Sequence, residues 1–203
     1  MIDERFVVLG AIISFVGVCS YLTDTIKGKI QPNKVTWLLC GLVPFIAFTA
    51  EVKQGVGLSA LPVFMSGFNP FLVFLASFIN KKARWNIGRL DVVCGILSVT
   101  GALLWYVTQV GNIAIVFSIF ADGLALLPTL VKSYRNPETE NYKAFFFAAI
   151  SNVITLLAIR AWTFAYAGFP VYLLLGNFIL FVMIRFKLGK LIENLNITPK
   201  RAT

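Results

Sequence analysis

Long apolar runs, each closed by charged or turn-forming residues, organise this chain from end to end. Between the breaks the runs fall at about 6–22, 35–51, 57–79, 91–109, 112–131, 143–164 and 169–187. A helix of about 20 apolar residues, rising about 1.5 Å each, crosses the roughly 30 Å hydrocarbon core of a bilayer. The pattern therefore predicts an all-α membrane protein with seven transmembrane helices and little mass outside the membrane.

Composition narrows the class further. Of 203 residues 58% are hydrophobic and 13% charged, against about 25% charged in soluble domains. Nineteen Phe exclude intrinsic disorder. The chain has no His, which removes imidazole metal sites, His bases and Ser-His-Asp triads. Cys19, Cys40 and Cys94 fall in different apolar runs with no CxxC pair, so they read as small buried hydrophobes, with neither structural zinc nor a disulfide. No metal-ligand cluster, paired intramembrane carboxylates or nucleotide loop is present, so neither an enzyme nor a cofactor is expected.

The net charge of +9 acquires meaning from its placement. With seven spans, Lys and Arg divide 15 on the side of the C-terminus and 3 (Arg5, Lys53 and Arg160) on the side of the N-terminus. Positive loops stay inside, which predicts an outside N-terminus and a cytoplasmic C-terminus. The basic excess then serves topology and lipid headgroups, and nucleic acid is not an expected partner. The flank Met1-Ile2-Asp3-Glu4-Arg5 is not the basic leader of a signal peptide, and no A-x-A site follows, so the first helix is expected to stay. Tyr21, Trp37, Trp85, Tyr134 and Tyr142 near one set of span ends, and Trp105, Tyr106, Trp162, Tyr166 and Tyr172 near the other, read mostly as interfacial belts.

Spans one to three and five to seven repeat weakly. Lys27 and Lys132, Pro32 and Pro137, and Trp37 and Tyr142 match at an offset of 105; Asn69 and Asn177, each close behind a Gly, match at 108. Both units carry a basic, Pro-containing loop after their first helix. The second contains Leu127-Pro128-Thr129-Leu130-Val131-Lys132-Ser133-Tyr134-Arg135-Asn136-Pro137-Glu138-Thr139-Glu140.

That stretch resembles the motif of PQ-loop proteins, and the repeat resembles the seven-helix SWEET transporters of that superfamily over about residues 6–187. The first copy is degraded, with Thr23-Asp24 at the Pro-Gln position, and Thr129 replaces Gln in the second. The resemblance implies a 3+1+3 arrangement: a first three-helix bundle (1–80), a linker helix (81–111), a second bundle (112–190) and a cytoplasmic tail (191–203). It also implies alternating access by a small polar solute, most simply a sugar, through a midplane pocket. Asn69 and Asn177 match the pocket amides of SWEETs, and Trp162 the aromatic that stacks on a sugar. Pro44 and Pro128 fill two of the four helix-proline positions; Thr23 and Ala149 occupy the others.

Asp122 is read as the one carboxylate deep in a span, roughly 15 Å from either surface. An intramembrane acid is costly unless paired and commonly serves proton relays. It resembles the coupling Asp of cystinosin-like carriers, and Asn152 in the next span is its candidate partner. This keeps a proton-coupled carrier of an amino acid or vitamin-like solute open beside the sugar. Arg160 either snorkels or faces an outer vestibule, where it would favour an anionic solute. A seven-helix receptor or sensor is the other class; a retinal-type pigment is disfavoured because Lys187 sits at the edge of its span. Lipids are the expected surroundings, and homo-oligomerisation stays open.

Overall fold

The computed structural model describes residues 2–81 and 88–195. Within them the chain is helical throughout, without a strand: α1 (Phe6–Ile26), α2 (Lys34–Lys53), a 3-10 turn (Gly57–Ala60) leading into α3 (Leu61–Ala76), α4 (Arg89–Thr108), α5 (Gly111–Arg135), α6 (Tyr142–Ala158), α7 (Phe164–Arg185) and α8 (Leu188–Leu195). Five segments are long and apolar enough to cross a bilayer: Phe6–Ile26, Lys34–Lys53, Gly57–Ala76, Gly111–Arg135 and Phe164–Arg185. The protein is an all-α integral membrane protein. The other two apolar helices, Gly95–Thr108 and Tyr142–Ala158, are shorter. Among the sequence expectations, Lys82, Arg84, Trp85 and the tail from 196 lie outside the described residues, as do the side chains of Cys94 and Trp105.

Several boundaries differ from the apolar pattern for local reasons. α1 runs past Asp24 to Ile26 because its end is capped by glycine. Gly28 adopts φ +65°, its N–H reaches Thr25 O at 3.0 Å, and Lys29 N–H reaches Asp24 O at 2.9 Å. These two bonds, with a left-handed residue just past the cap, satisfy the last carbonyls of the helix. α6 ends at Ala158 rather than 164, since Ile159 is extended (φ −60°, ψ 143°). α7 begins at Phe164, ahead of the Gly168–Pro170 stretch that looked like its start. Asn33 and Asn141 cap α2 and α6 alike, each side chain accepting the N–H two residues on, at 3.1 and 2.8 Å. The stretch from 191, expected as tail, continues α8 as far as Leu195.

α3 packs on α1 and α2, and α7 packs on α5 and α6. Across the middle, α1 lies along α6 and α2 along α5, while α4 packs chiefly on α5. Small residues allow the α1–α6 approach. A Cβ on Gly17 would stand 2.6 Å from Phe147 Cβ, and one on Gly10 would stand 3.2 Å from Ser151 O. Such small-residue faces are how membrane helices come close without a hydrophobic drive between them.

Two apolar clusters close the ends. At the end holding the α1 N-terminus, Ala47, Val63, Ala114, Ile115 and Phe169 pack together. At the opposite end, Val18, Tyr21, Val73, Phe145 and Leu180 do so.

Candidate solute cavity

Between the two clusters lies a cavity of about 110 Å³ walled by α1, α2, α3, α5, α6 and α7. At about 10–15 Å³ of such volume per water it has room for several waters or a small solute. Asn69, Asn177, Asp122 and Asn152 all line it, so four of the residues singled out in the sequence meet at one place. Asn69, from the middle of α3, is 7% exposed and donates to Ser14 Oγ at 2.9 Å. Asn177 and Asn152 donate to carbonyls one turn back, Leu173 O at 2.7 Å and Ala148 O at 2.8 Å. Asn69 Oδ1 and Asn152 Oδ1 are buried with no hydrogen-bond partner. Asp122, 6% exposed, accepts the Tyr172 hydroxyl at 2.8 Å. The carboxylate's expected partner Asn152 thus bonds its own helix instead.

The cavity walls are paired along the chain. Ser14 and Asp122, Val18 and Leu126, Thr36 and Ala144, Trp37 and Phe145, Cys40 and Ala148, Met65 and Leu173, and Asn69 and Asn177 all line it, each pair 108 positions apart. The capping Asn33 and Asn141 share that spacing. At this spacing Trp37 pairs with Phe145 rather than with Tyr142, so 108, not 105, is the offset that relates the cavity walls.

Sequence reasoning missed several of these residues. Trp37 and Tyr172, assigned to interfacial belts, line the cavity, and Tyr21, assigned likewise, is wholly buried. Applying the 108 spacing of the two amides to Asp122 would have pointed to Ser14. Conversely, Trp162 is not a wall of the cavity. It lies between α6 and α7, 65% exposed, because α6 ends four residues before it. Pro44 is buried inside α2 away from the cavity, and Pro128 lines a second, lower cavity. Cys19 is exposed on α1, unlike buried Cys40.

Arg160 does not reach the cavity either. It pairs with Glu4, whose carboxylate also accepts the Ser59 N–H and hydroxyl at 3.2 and 3.1 Å. With Tyr166 donating to Gly55 O at 3.2 Å, this ties α1, the 3-10 turn, the end of α6 and α7 together at the upper end. Close by on α2, Glu51 is 1% exposed with Oε1 unpartnered. The sequence placed it at the rim of a span and gave it no role.

At the lower end a polar cavity of about 470 Å³ is lined by Gln31, Asn33, Pro128, Lys132, Asn136, Thr139 and Glu140; Thr129 belongs to the walls of both cavities. Of the two acids of this loop, Glu140 is buried. Its side chain is 2% exposed, accepting Tyr21 Oη at 2.6 Å and Lys132 Nζ at 2.8 Å. Lys132 also donates to Gln31 O at 2.6 Å. Asn141 donates to Ser20 Oγ and Asp24 Oδ2 at 3.0 and 2.6 Å. Glu138 is the solvated acid, its carboxyl held below the usual carboxylate range by its own backbone N–H and by Lys190.

No family model matches the chain, and neither curated proteins nor solved structures match it.

Proposed function

We propose that this protein is a transporter that passes a small polar solute through the central cavity by alternating access. The observation that carries the reading is the meeting of Asn69, Asn177 and Asp122 in one chamber deep among apolar helices. Intramembrane polar groups are expensive and face bundle interiors or solute paths. A 3+1+3 architecture of the SWEET and PQ-loop kind underlies the proposal. α1–α3 form one triplet, α5–α7 the other, and α4 is the linker. Its support is the pairing of α1 with α6 and α2 with α5, and the walls spaced by 108. Exchanging the triplets turns each of these contacts into the other, as a two-fold axis along the membrane normal requires. The 15-to-3 division of basic residues orients the N-terminus outside.

A sugar is the solute class the resemblance implies. Proton-coupled carriage of an amino acid or vitamin-like solute is the second reading, favoured by the placement of Asp122 in the cavity wall. The test is uptake into proteoliposomes of labelled sugars, amino acids and vitamins, with and without a pH gradient. Saturable uptake abolished in folded Asn69→Ala and Asn177→Ala is expected. Unchanged uptake in both variants and their double mutant would refute the site. Proton-coupled uptake whose pH dependence survives intact in Asp122→Asn would refute the coupling role.

A further inference from the structure

We infer that the solute presents a protonated amine to Asp122, so that the cavity selects organic cations over sugars and anions. The inference rests on the transporter reading above for the cavity's use, and on the chemistry of its walls for the class.

Asp122 is the acid in the cavity wall, and among the described residues no Lys or Arg lines it. Its hydrogen-bond partners, Tyr172 and Cys40, are neutral. Each of the three amides spends one of its two N–H donors within the protein. Asn152 and Asn177 give N–H to the carbonyls of Ala148 and Leu173. A carbonyl can only accept, so these amides cannot be turned round, and their oxygens remain for a ligand. Asn69 gives its N–H to Ser14, leaving Oδ1 buried and unpartnered. The walls therefore hold several acceptors beside a carboxylate whose partners carry no positive charge.

An anionic solute would meet a carboxylate and carbonyl-type oxygens with no cation to neutralise it. A sugar would bond through its hydroxyl protons but leave Asp122 without a counter-charge. An ammonium group supplies the missing counter-charge, and its three donors can meet the Asp122 carboxylate and the unpartnered oxygens of Asn69 and Asn152. Trp37, Phe145 and Tyr172 add aromatic surface in the same cavity, where a cation gains a further attraction from ring faces. At about 110 Å³ the space exceeds what a bare inorganic ion fills.

Binding is measured on the purified full chain in detergent, by thermal shift and by calorimetry. The probes are ethanolamine, putrescine, L-lysine and L-arginine, against glucose, L-glutamate and sodium chloride. At least one amine is expected to raise Tm saturably, while the comparison probes do not. Asp122→Asn, which keeps an oxygen for Tyr172 but loses the charge, should weaken that binding about tenfold or more. Asn69→Asp adds a second carboxylate, toward which the Ser14 hydroxyl can turn as donor. It should strengthen amine binding, a gain that does not depend on how Asp122→Asn folds. The inference is overturned if no amine in the series binds. It is equally overturned if glucose, glutamate or sodium chloride stabilises as well as the amines, or if binding survives folded Asp122→Asn unchanged. Saturable, Asn69-dependent uptake of glucose alone would sink the cation class and leave the transporter standing. Asp122-dependent amine binding without uptake would do the reverse.

Discussion

Replacing Lys132 by Met tests the lower-end network most sharply. Glu140 is almost wholly buried and holds two partners, Tyr21 and Lys132. Removing the ammonium leaves a desolvated carboxylate bonded only to a phenol. Breaking a buried pair from one side typically costs about 3–5 kcal/mol. Glu140→Gln is milder. Lys132 is a quarter exposed and keeps Gln31 O at 2.6 Å and Thr139 O at 3.5 Å, so it retains water and two carbonyl acceptors. The loss there is roughly the 1.5–3 kcal/mol of a charge-assisted bond. In the double variant the amide that replaces the Glu140 carboxylate still accepts the Tyr21 hydroxyl, and no unpaired charge remains. Its cost should fall below the sum of the singles by about 1–3 kcal/mol. Unfolding of the four proteins in one detergent, with fluorescence and size-exclusion readouts, closes the cycle. The pair is buried, so added salt should change the coupling little. Additivity within about 0.5 kcal/mol, or a Lys132→Met protein as stable as the parent, would refute the reasoning.

Asn69→Ala should barely change Tm, since an interhelical hydrogen bond in a membrane averages about 0.6 kcal/mol, while uptake through the cavity falls; an equal fall in stability and none in uptake would make the residue a clasp. Gly17→Ala should destabilise by about 1–3 kcal/mol, because its Cβ would stand 2.6 Å from Phe147 Cβ; an unchanged Tm would mean that α1 and α6 are not so closely packed. Glu51→Met should hold or raise Tm, as it replaces a buried carboxyl having an unpartnered oxygen with an apolar side chain of similar length. A clear drop in Tm would show that Glu51 has a stabilising partner, and a raised Tm with reduced uptake would mark the acid as kept for transport.

The helices were legible because each apolar run is long and the breaks are sharp. The errors have specific physical sources. Asp24 looked like a terminus, yet one polar residue does not stop a helix that still has a glycine cap ahead of it. Gly168 and Pro170 looked like a start, but α7 had already begun at Phe164 and Pro170 stands inside it, as membrane helices tolerate where neighbours satisfy the freed backbone groups. The cavity was half legible. Two amides and an acid stand out in apolar runs whichever way they point. Tyr21, Trp37 and Tyr172 do not, because aromatic residues near helix ends suit an interface and a chamber equally. Only the packing of α1 on α6, of α2 on α5 and of α7 on α5 and α6 turns them inward. Trp162 failed for the converse reason: its proposed depth assumed a helix reaching 164, and α6 ends at Ala158.

The two closures differ in kind, and that difference bears on how such a chamber opens. At the upper end Arg160 is 72% exposed, so its pair with Glu4 contributes at most about 1 kcal/mol. The seal there is the apolar contact of Ala47, Val63, Ile115 and Phe169, and parting it costs in proportion to the apolar area exposed. At the lower end the apolar cluster of Val18, Tyr21, Val73, Phe145 and Leu180 is joined by a desolvated carboxylate and its ammonium partner. Parting these breaks strong bonds but returns two charges to water, and desolvation opposes burial of the pair in the first place. The two terms largely offset, so opening below costs less than the bond distances alone suggest. A polar cavity already stands on that side of Thr129. On the transporter reading, the lower gate is therefore the more easily hydrated one, and a solute seated against Asp122 leaves first by way of Thr129 and Lys132.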